Sequence, residues 1–358
     1  MFYREAGQFK TSYKADQAIF PIFQDKVGLF LIVAVAFGLP LVGNDFFLNS
    51  LMIPFLIFAI ATMGLNVLTG YAGQLSLGSG AFMGVGAYAC YKLTTIFPDV
   101  NILIHILLSG FFAALIGCVF GLPSLRIKGL YLAITTLAAQ FFLEWCFIRI
   151  PWLYNYNDSG AIEVPQRTLA GIPITGASAT PTVRYYVILI LAIALTWITS
   201  NIIRGRIGRS WMMIRDMDIA AELMGIKPLN AKLSAFAMSS YLCGVAGALM
   251  VFMWLGAAEV ESFSINVSFQ VLFMVIIGGM GSLIGCFMGA AFIWMLPIVI
   301  RILPEMMGIA MNASTVDHIS RMVTGALIIF FLIVEPHGFA RLWQITKEKL
   351  RTWPFPYN

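Results

Sequence analysis

Apolar residues run through this chain in blocks too long and too frequent for a water-soluble fold. Read between charges and Gly/Pro breaks, they mark ten candidate helical spans. These lie near residues 27–43, 46–68, 77–97, 102–122, 129–148, 185–203, 234–256, 266–280, 284–304 and 319–335. No charge falls between Asp45 and Lys92 or between Glu261 and Arg301. A bilayer core takes roughly 20 helical residues, so each of these runs must hold two spans. The eighth segment is short enough for a re-entrant half-helix. The pattern predicts an all-α, polytopic transmembrane bundle over residues 27–335, with polar segments at 1–26 and 336–358.

The longest polar interruption with dense charge is 204–232. It sets Arg204, Arg206, Arg209, Arg215, Lys227 and Lys232 against Asp216, Asp218 and Glu222. Basic residues beside spans are retained on the cytoplasmic side, so this loop is expected to face the cytoplasm. Met213, Met217, Ala220 and Met224 fall at i, i+4, i+7 and i+11, the face of a short helix around residues 211–225. Gly225 and then Pro228 supply its stop. Two readings stand here: a helix offered to a partner, or a solvated helical connector.

Counting spans outward from that loop puts both termini and the Arg126/Lys128 turn in the cytoplasm. The tail charges Arg341, Lys347, Lys349 and Arg351 agree with the same rule. The other face receives the turn bearing Glu259 and Glu261 and the longest loop, 149–184. That loop contains an Asn155-Tyr156-Asn157-Asp158-Ser159-Gly160 stretch and a Gly-Ile-Pro-Ile-Thr-Gly block over residues 171–176. A loop of this length in a compact bundle is functional, mobile or a linker.

Composition sharpens the picture. Hydrophobic residues make up 60% of the chain and charged residues 11%, against roughly 25% charged in soluble domains; mean hydropathy is +0.88. The net charge of +5 sits in loops and tails and gives no support for nucleic-acid binding. The five cysteines, Cys90, Cys118, Cys146, Cys243 and Cys286, all lie in apolar segments, as small core residues rather than disulfides or metal ligands. The polar residues ahead of the first apolar run argue against a cleaved signal peptide.

Candidate chemistry gathers at two glycine-rich breaks. The first is Gly70-Tyr71-Ala72-Gly73-Gln74-Leu75-Ser76-Leu77-Gly78; the second carries Gly278, Gly279 and Gly281. Non-helical backbone at membrane depth is tolerated only where protein buries it or a cavity hydrates it. Gly70, Gly73, Gln74, Ser76 and Gly78 are therefore candidates for a substrate path, with Gly278, Gly279 and Gly281. A tight turn between packed helices is the alternative. Gly80-Ala81-Phe82-Met83-Gly84 echoes Gly285-Cys286-Phe287-Met288-Gly289, each after a break, which suggests an internal repeat with interrupted helices.

Intramembrane charge is sparse. Glu144 is expected to pair with Arg149, and His105 to be interfacial. No Asp, Glu or His series forms the relay of an ion-coupled transporter. The chain has no G-x-x-x-x-G-K-[S/T] or H-E-x-x-H motif and only His105, His318 and His337, so no catalytic residue, metal or cofactor is assigned. Energy for active transport would come from another subunit.

These blocks carry a resemblance. Gly64-Leu65-Asn66-Val67-Leu68-Thr69-Gly70 through Gly78, with Gly80-Ala81-Phe82-Met83-Gly84, is similar to the permease subunits of branched-chain amino acid ABC importers. So are Ala220-Ala221-Glu222-Leu223-Met224-Gly225-Ile226, Gly244-Val245-Ala246-Gly247-Ala248-Leu249 and Ile277-Gly278-Gly279-Met280-Gly281-Ser282, over about residues 45–345. The tail Glu335-Pro336-His337-Gly338-Phe339-Ala340 resembles one of the two permease types. Members often carry His after Ser-Leu-Gly, where this chain has Ser79.

The resemblance implies a heterodimer with a homologous second permease, two cytoplasmic ATP-binding subunits, an external substrate-binding protein and a bacterial inner-membrane setting. It implies an amino acid substrate, although relatives also take urea, short amides and aromatic acids. It places Ala221, Glu222 and Gly225, with Arg215 on the same loop, in the segment that couples to the ATPase. The rival classes are a stand-alone secondary transporter of small polar solutes and a membrane scaffold.

Overall fold

The computed structural model describes residues 11–12, 23–124, 131–157, 159–169, 171–176, 178–306, 312–334 and 338–352. The Arg126/Lys128 turn, Asp158 and the segment 335–337 lie outside the described residues. Helices come in the order α1 (Phe23–Val42), α2 (Asp45–Tyr71), α3 (Ser79–Ile96), α4 (Ile102–Ser124), α5 (Tyr131–Arg149), α6 (Pro181–Arg204), α7 (Arg206–Asp216) and α8 (Asp218–Leu223). Then follow α9 (Pro228–Leu255), α10 (Ile265–Gly278), α11 (Leu283–Met306), α12 (Ala313–Val334) and α13 (Gly338–Thr352). Each of the ten predicted segments falls on a helix. Among the described residues seven helical stretches are long and apolar enough to cross a membrane; α1, α3 and α12 are not among them.

Two helices form the centre: α2 is 89% and α9 83% buried over its apolar window, whereas the other spans bury 28–39%. Both are nearly apolar on every face, the signature of a helix surrounded by other helices. Glycine permits the closest crossings. A Cβ on Gly86 of α3 would strike the backbone of Gly244, and one on Gly247 would strike that of Met83, so α3 and α9 meet backbone to backbone. Both central helices end in a wide π turn, Val67–Tyr71 and Met250–Leu255.

Polar side chains take up backbone groups that irregular helix leaves over. Pro40 within α1 cannot donate to the carbonyl four residues back, and the Tyr185 hydroxyl of α6 donates to that Ala36 oxygen at 2.8 Å.

The 149–184 loop is built. It carries β1 (Ile162–Glu163), β2 (Thr168–Leu169) and β3 (Ile172–Pro173), and β4 (Ala257–Ala258) follows α9. β1 pairs antiparallel with β4, and β2 with β3. The loop closes over the end of α3, where Lys92 donates to the Asn155 side chain and lies 4.4 Å from the centre of the Trp152 ring.

Two expectations are corrected. The helix expected around residues 211–225 is two, because Met217 adopts extended backbone (φ −160°, ψ 98°) between α7 and α8. Asp218 opens the second helix and is held by Lys232 at 2.7 Å, which redirects the chain. Glu144 accepts a hydrogen bond from Gln140 at 2.7 Å and makes no ion pair with Arg149. His105, in the first turn of α4 near its end, is covered by protein, 1% exposed, with Nδ1 3.4 Å from the Thr94 hydroxyl.

Candidate functional site

The two glycine breaks meet, and α7 reaches them. At the end of α2, Asn66 is fully buried. Its Oδ1 accepts from the Gly281 N–H at 2.8 Å, and its Nδ2 donates to the Ser282 carbonyl at 3.0 Å and toward the Cys286 sulfur at 3.1 Å. One neutral amide thus ties α2 to the break between α10 and α11. Gly70 lies on the same spot: a Cβ there would collide with the Asn66 oxygen and the Gly281 nitrogen. Gly281 itself has φ +80°, a conformation that glycine adopts without steric cost.

Arg215, at the end of α7, donates from one guanidinium nitrogen to the Gly70 carbonyl at 2.8 Å. Its other nitrogens hold Asp216 at 2.9 Å. That carbonyl is one of the acceptors a helix C-terminus leaves unpaired, and a cation there also meets the negative end of the helix dipole. Gly73, with φ +68°, packs against the Arg215 stem; a Cβ on it would come within 2.7 Å of the Arg215 Cγ. The basic loop is anchored again to α9, by Trp211 donating to the Ser234 hydroxyl at 2.9 Å and by Lys232 on Asp218.

The first break continues as extended chain along α5. The Gln74 N–H donates to Leu68 O at 2.9 Å, and its buried Oε1 has no partner among the described residues. Ser76 is buried, its hydroxyl 3.4 Å from the Gly78 nitrogen, and Leu77 N–H donates to Thr136 at 2.9 Å. Gly78 abuts the Thr136 carbonyl.

At Ser79 the chain turns helical again with no side-chain cap of its own. A helix end buried in the bundle needs partners for its N–H groups. Ser268 Oγ accepts from Gly80 N–H at 2.8 Å and Gln140 Oε1 from Ala81 N–H at 2.7 Å. Gln140 Oε1 also accepts from Ser268 at 2.9 Å, and its Nε2 donates to Phe263 O and Glu144 at 2.7 Å each. Every hydrogen-bonding position of that amide is used. Ser268 sits ten residues before Gly278 on α10, so this network lies about 15 Å along the helix from the glycine junction, near mid-bundle. The starts of α3 and α10 face each other there, as interrupted helices do.

Among the sequence candidates, the structure therefore unites Arg215, Gly70, Gly73 and Gly281. Gly278 serves the crossing of α10 and α11, facing the backbone of Gly285 and Gly289. Gly279, with φ +108°, lies against Gly338 at the start of α13. Ala221 is buried, Glu222 is exposed, and Gly225 ends the turn after α8 at φ +85° in open space; none of the three touches the junction. Sequence reasoning missed Asn66 and Gln140. The available signal was a lone amide inside an apolar span, where an unpaired polar group is costly and so implies an interhelical partner.

Replacing Gln140 with Leu strands Ala81 N–H and Phe263 O. At about 1–3 kcal/mol for each stranded buried group, the Gln140→Leu protein should melt well below wild type in detergent, and Gln140→Glu should fall between them. Equal melting midpoints for Leu and wild type would deny the amide this role.

A family model described as the permease component of branched-chain amino acid transport systems matches residues 47–332. The chain is 30% identical over 319 residues to the high-affinity branched-chain amino acid transport system permease protein LivM of Escherichia coli (strain K12), covering 83% of this chain and 70% of that protein. It is 29% identical over 319 residues to LivM of Salmonella typhimurium, with the same coverage. No solved structure matches.

Proposed function

This chain belongs to the family of permease components of branched-chain amino acid transport systems, and we propose that it forms half of an ATP-driven translocation path with a second, homologous permease. It is a multi-pass membrane protein. Its setting is the bacterial inner membrane, with both termini and the 204–232 loop cytoplasmic. Two ATP-binding subunits serve the pair, one of them docking on α7 and α8 of this chain, and an external binding protein delivers a branched-chain or related amino acid to the opposite face.

The observation that carries this reading is the Arg215 contact with Gly70. Movement of α7 under an ATPase has a direct route to the point where both glycine breaks join. A second feature supports the docking face: Ile219, Leu223 and Met224 on and after α8 are 66–85% exposed, neighbouring apolar side chains of the kind that cover a partner contact. Glu222 stands beside them for a basic partner group. Arg215, Ala221, Glu222 and Gly225 are the proposed coupling residues, and Gly70, Gly73, Gln74, Ser76, Gly78, Gly278, Gly279 and Gly281 the proposed lining and hinge of the path.

The test is reconstitution. The chain with its second permease and ATPases in proteoliposomes should accumulate a branched-chain amino acid only with ATP and the binding protein. Ion-gradient-driven uptake by the chain alone would establish the secondary-transporter reading instead.

Orientation has its own prediction. With the five native cysteines replaced, single cysteines at Asn157 and Lys227 are exposed to an impermeant thiol reagent on intact cells. Position 157 should label and 227 should not; the reverse would put the proposed coupling loop on the wrong side.

A further inference from the structure

The end of the bundle opposite Arg215 holds a cavity of about 450 Å³ between the 149–184 loop and the end of α9. That volume lies within the usual range for small-molecule sites. Its wall carries one carboxylate, Glu163, and one guanidinium, Arg184, beside the Trp254 ring, Val164 and Leu255. Among the described residues neither Glu163 nor Arg184 forms an ion pair. Arg184 donates to the Gly176 carbonyl, yet its Nε is buried and has no partner among the described residues.

The frame around these groups is fixed. Glu163 sits in β1 opposite Ala257 of β4, and Val164 N–H donates to Gly256 O at 3.0 Å. Gly256 holds φ +75° at the end of α9. Trp254 stacks edge-on against Trp294 of α11, ring centres 5.4 Å apart. Charged groups of opposite sign on the wall of one pocket, beside an indole ring and two aliphatic side chains, match a ligand that carries both charges itself.

We propose that this cavity is a subsite for the zwitterion of a free amino acid with an apolar side chain. Arg184 takes the α-carboxylate, Glu163 the α-ammonium with the Trp254 ring beside it, and Val164 and Leu255 receive the side chain. The proposal rests on the permease reading above, and it places a receiving site where substrate would leave a binding protein. A docking protein surface is the competing use of the same cavity.

Binding of radiolabelled leucine to the assembled transporter in nanodiscs, without ATP or binding protein, tests it. Wild type should bind leucine saturably, and Glu163→Gln and Arg184→Gln should each weaken binding by about tenfold or more. Neither 3-methylbutylamine nor 4-methylpentanoate, each with one of the two charges, should compete at concentrations where leucine does. Glu163 is exposed and outside the helices, so Glu163→Gln tests the site even if Arg184→Gln disturbs the loop.

Leucine held equally well by both variants, or displaced equally by either half-analogue, overturns the proposal. Loss of binding-protein docking with leucine binding intact overturns it in favour of a docking surface. A wild-type complex that transports leucine without this binding sinks the subsite alone, whereas one that neither transports nor binds sinks the permease reading with it.

Discussion

Arg215→Ala should separate ATP turnover from transport. In the reconstituted complex the ATPases keep hydrolysing, while substrate moved per ATP falls by about tenfold or more. The reasoning starts from one bond. The guanidinium-to-Gly70 contact of 2.8 Å is charge-assisted, and such bonds contribute about 1.5–3 kcal/mol; each 1.4 kcal/mol corresponds to about tenfold in an equilibrium. The side chain is 38% exposed, which favours the lower end.

Alanine removes the side-chain bond by which α7 holds the end of α2, but leaves Trp211 and Lys232 anchoring the loop to α9. Assembly should survive. Arg215→Lys is the graded variant. A lysine can reach one acceptor as a point charge but cannot span Gly70 and Asp216 with a planar fork, so transport per ATP should lie between wild type and alanine. An unchanged ratio in Arg215→Ala, with the complex intact by size exclusion, would remove the latch from the coupling mechanism.

The parts of this molecule that were legible in sequence are those governed by local physics. Long apolar runs gave helices because a bilayer demands them; the short eighth segment falls on α10, 14 residues, which the preceding turn extends to a 19-residue stretch from Val260 to Gly278. Gly225 was placed as a helix stop from its residue type, and its φ is +85°. The break at Met217 was hidden because its neighbours Met213 and Ala220 satisfy a helical face. What redirects the chain is Lys232, fourteen residues beyond Asp218. The junction was hidden for the same reason on a larger scale. Asn66 finds Gly281 across 215 positions and Arg215 finds Gly70 across 145, and neither pairing leaves a periodic trace. Glu144 is the instructive miss. Its partner Gln140 stands at i−4, a readable helical pair, but the nearby charge of Arg149 drew the assignment away.

In a path lined by glycines, Gly73→Leu would be expected to obstruct the path. The structure changes its meaning, because the new side chain would push against Arg215 rather than into open space. The sharper test is Gly70→Ala. Its Cβ would enter the volume held by the Asn66 oxygen and the Gly281 backbone, neither of which is the free end of a flexible side chain. Overpacking of this kind costs about 1–3 kcal/mol, and relief requires α2 to part from the second break. Transport by Gly70→Ala should therefore collapse to near background while the chain remains in the membrane. Gly28→Ala, where nothing lies within 4 Å of the added atom, should transport normally. Asn66→Ala removes one of the two clashing groups and strands Gly281 N–H, so it should be defective alone. Combined with Gly70→Ala, it should cost less than the sum of the separate losses, as expected for groups that share one contact. Wild-type transport by Gly70→Ala, or strict additivity in the double variant, would mean that the two breaks do not work as a joined hinge.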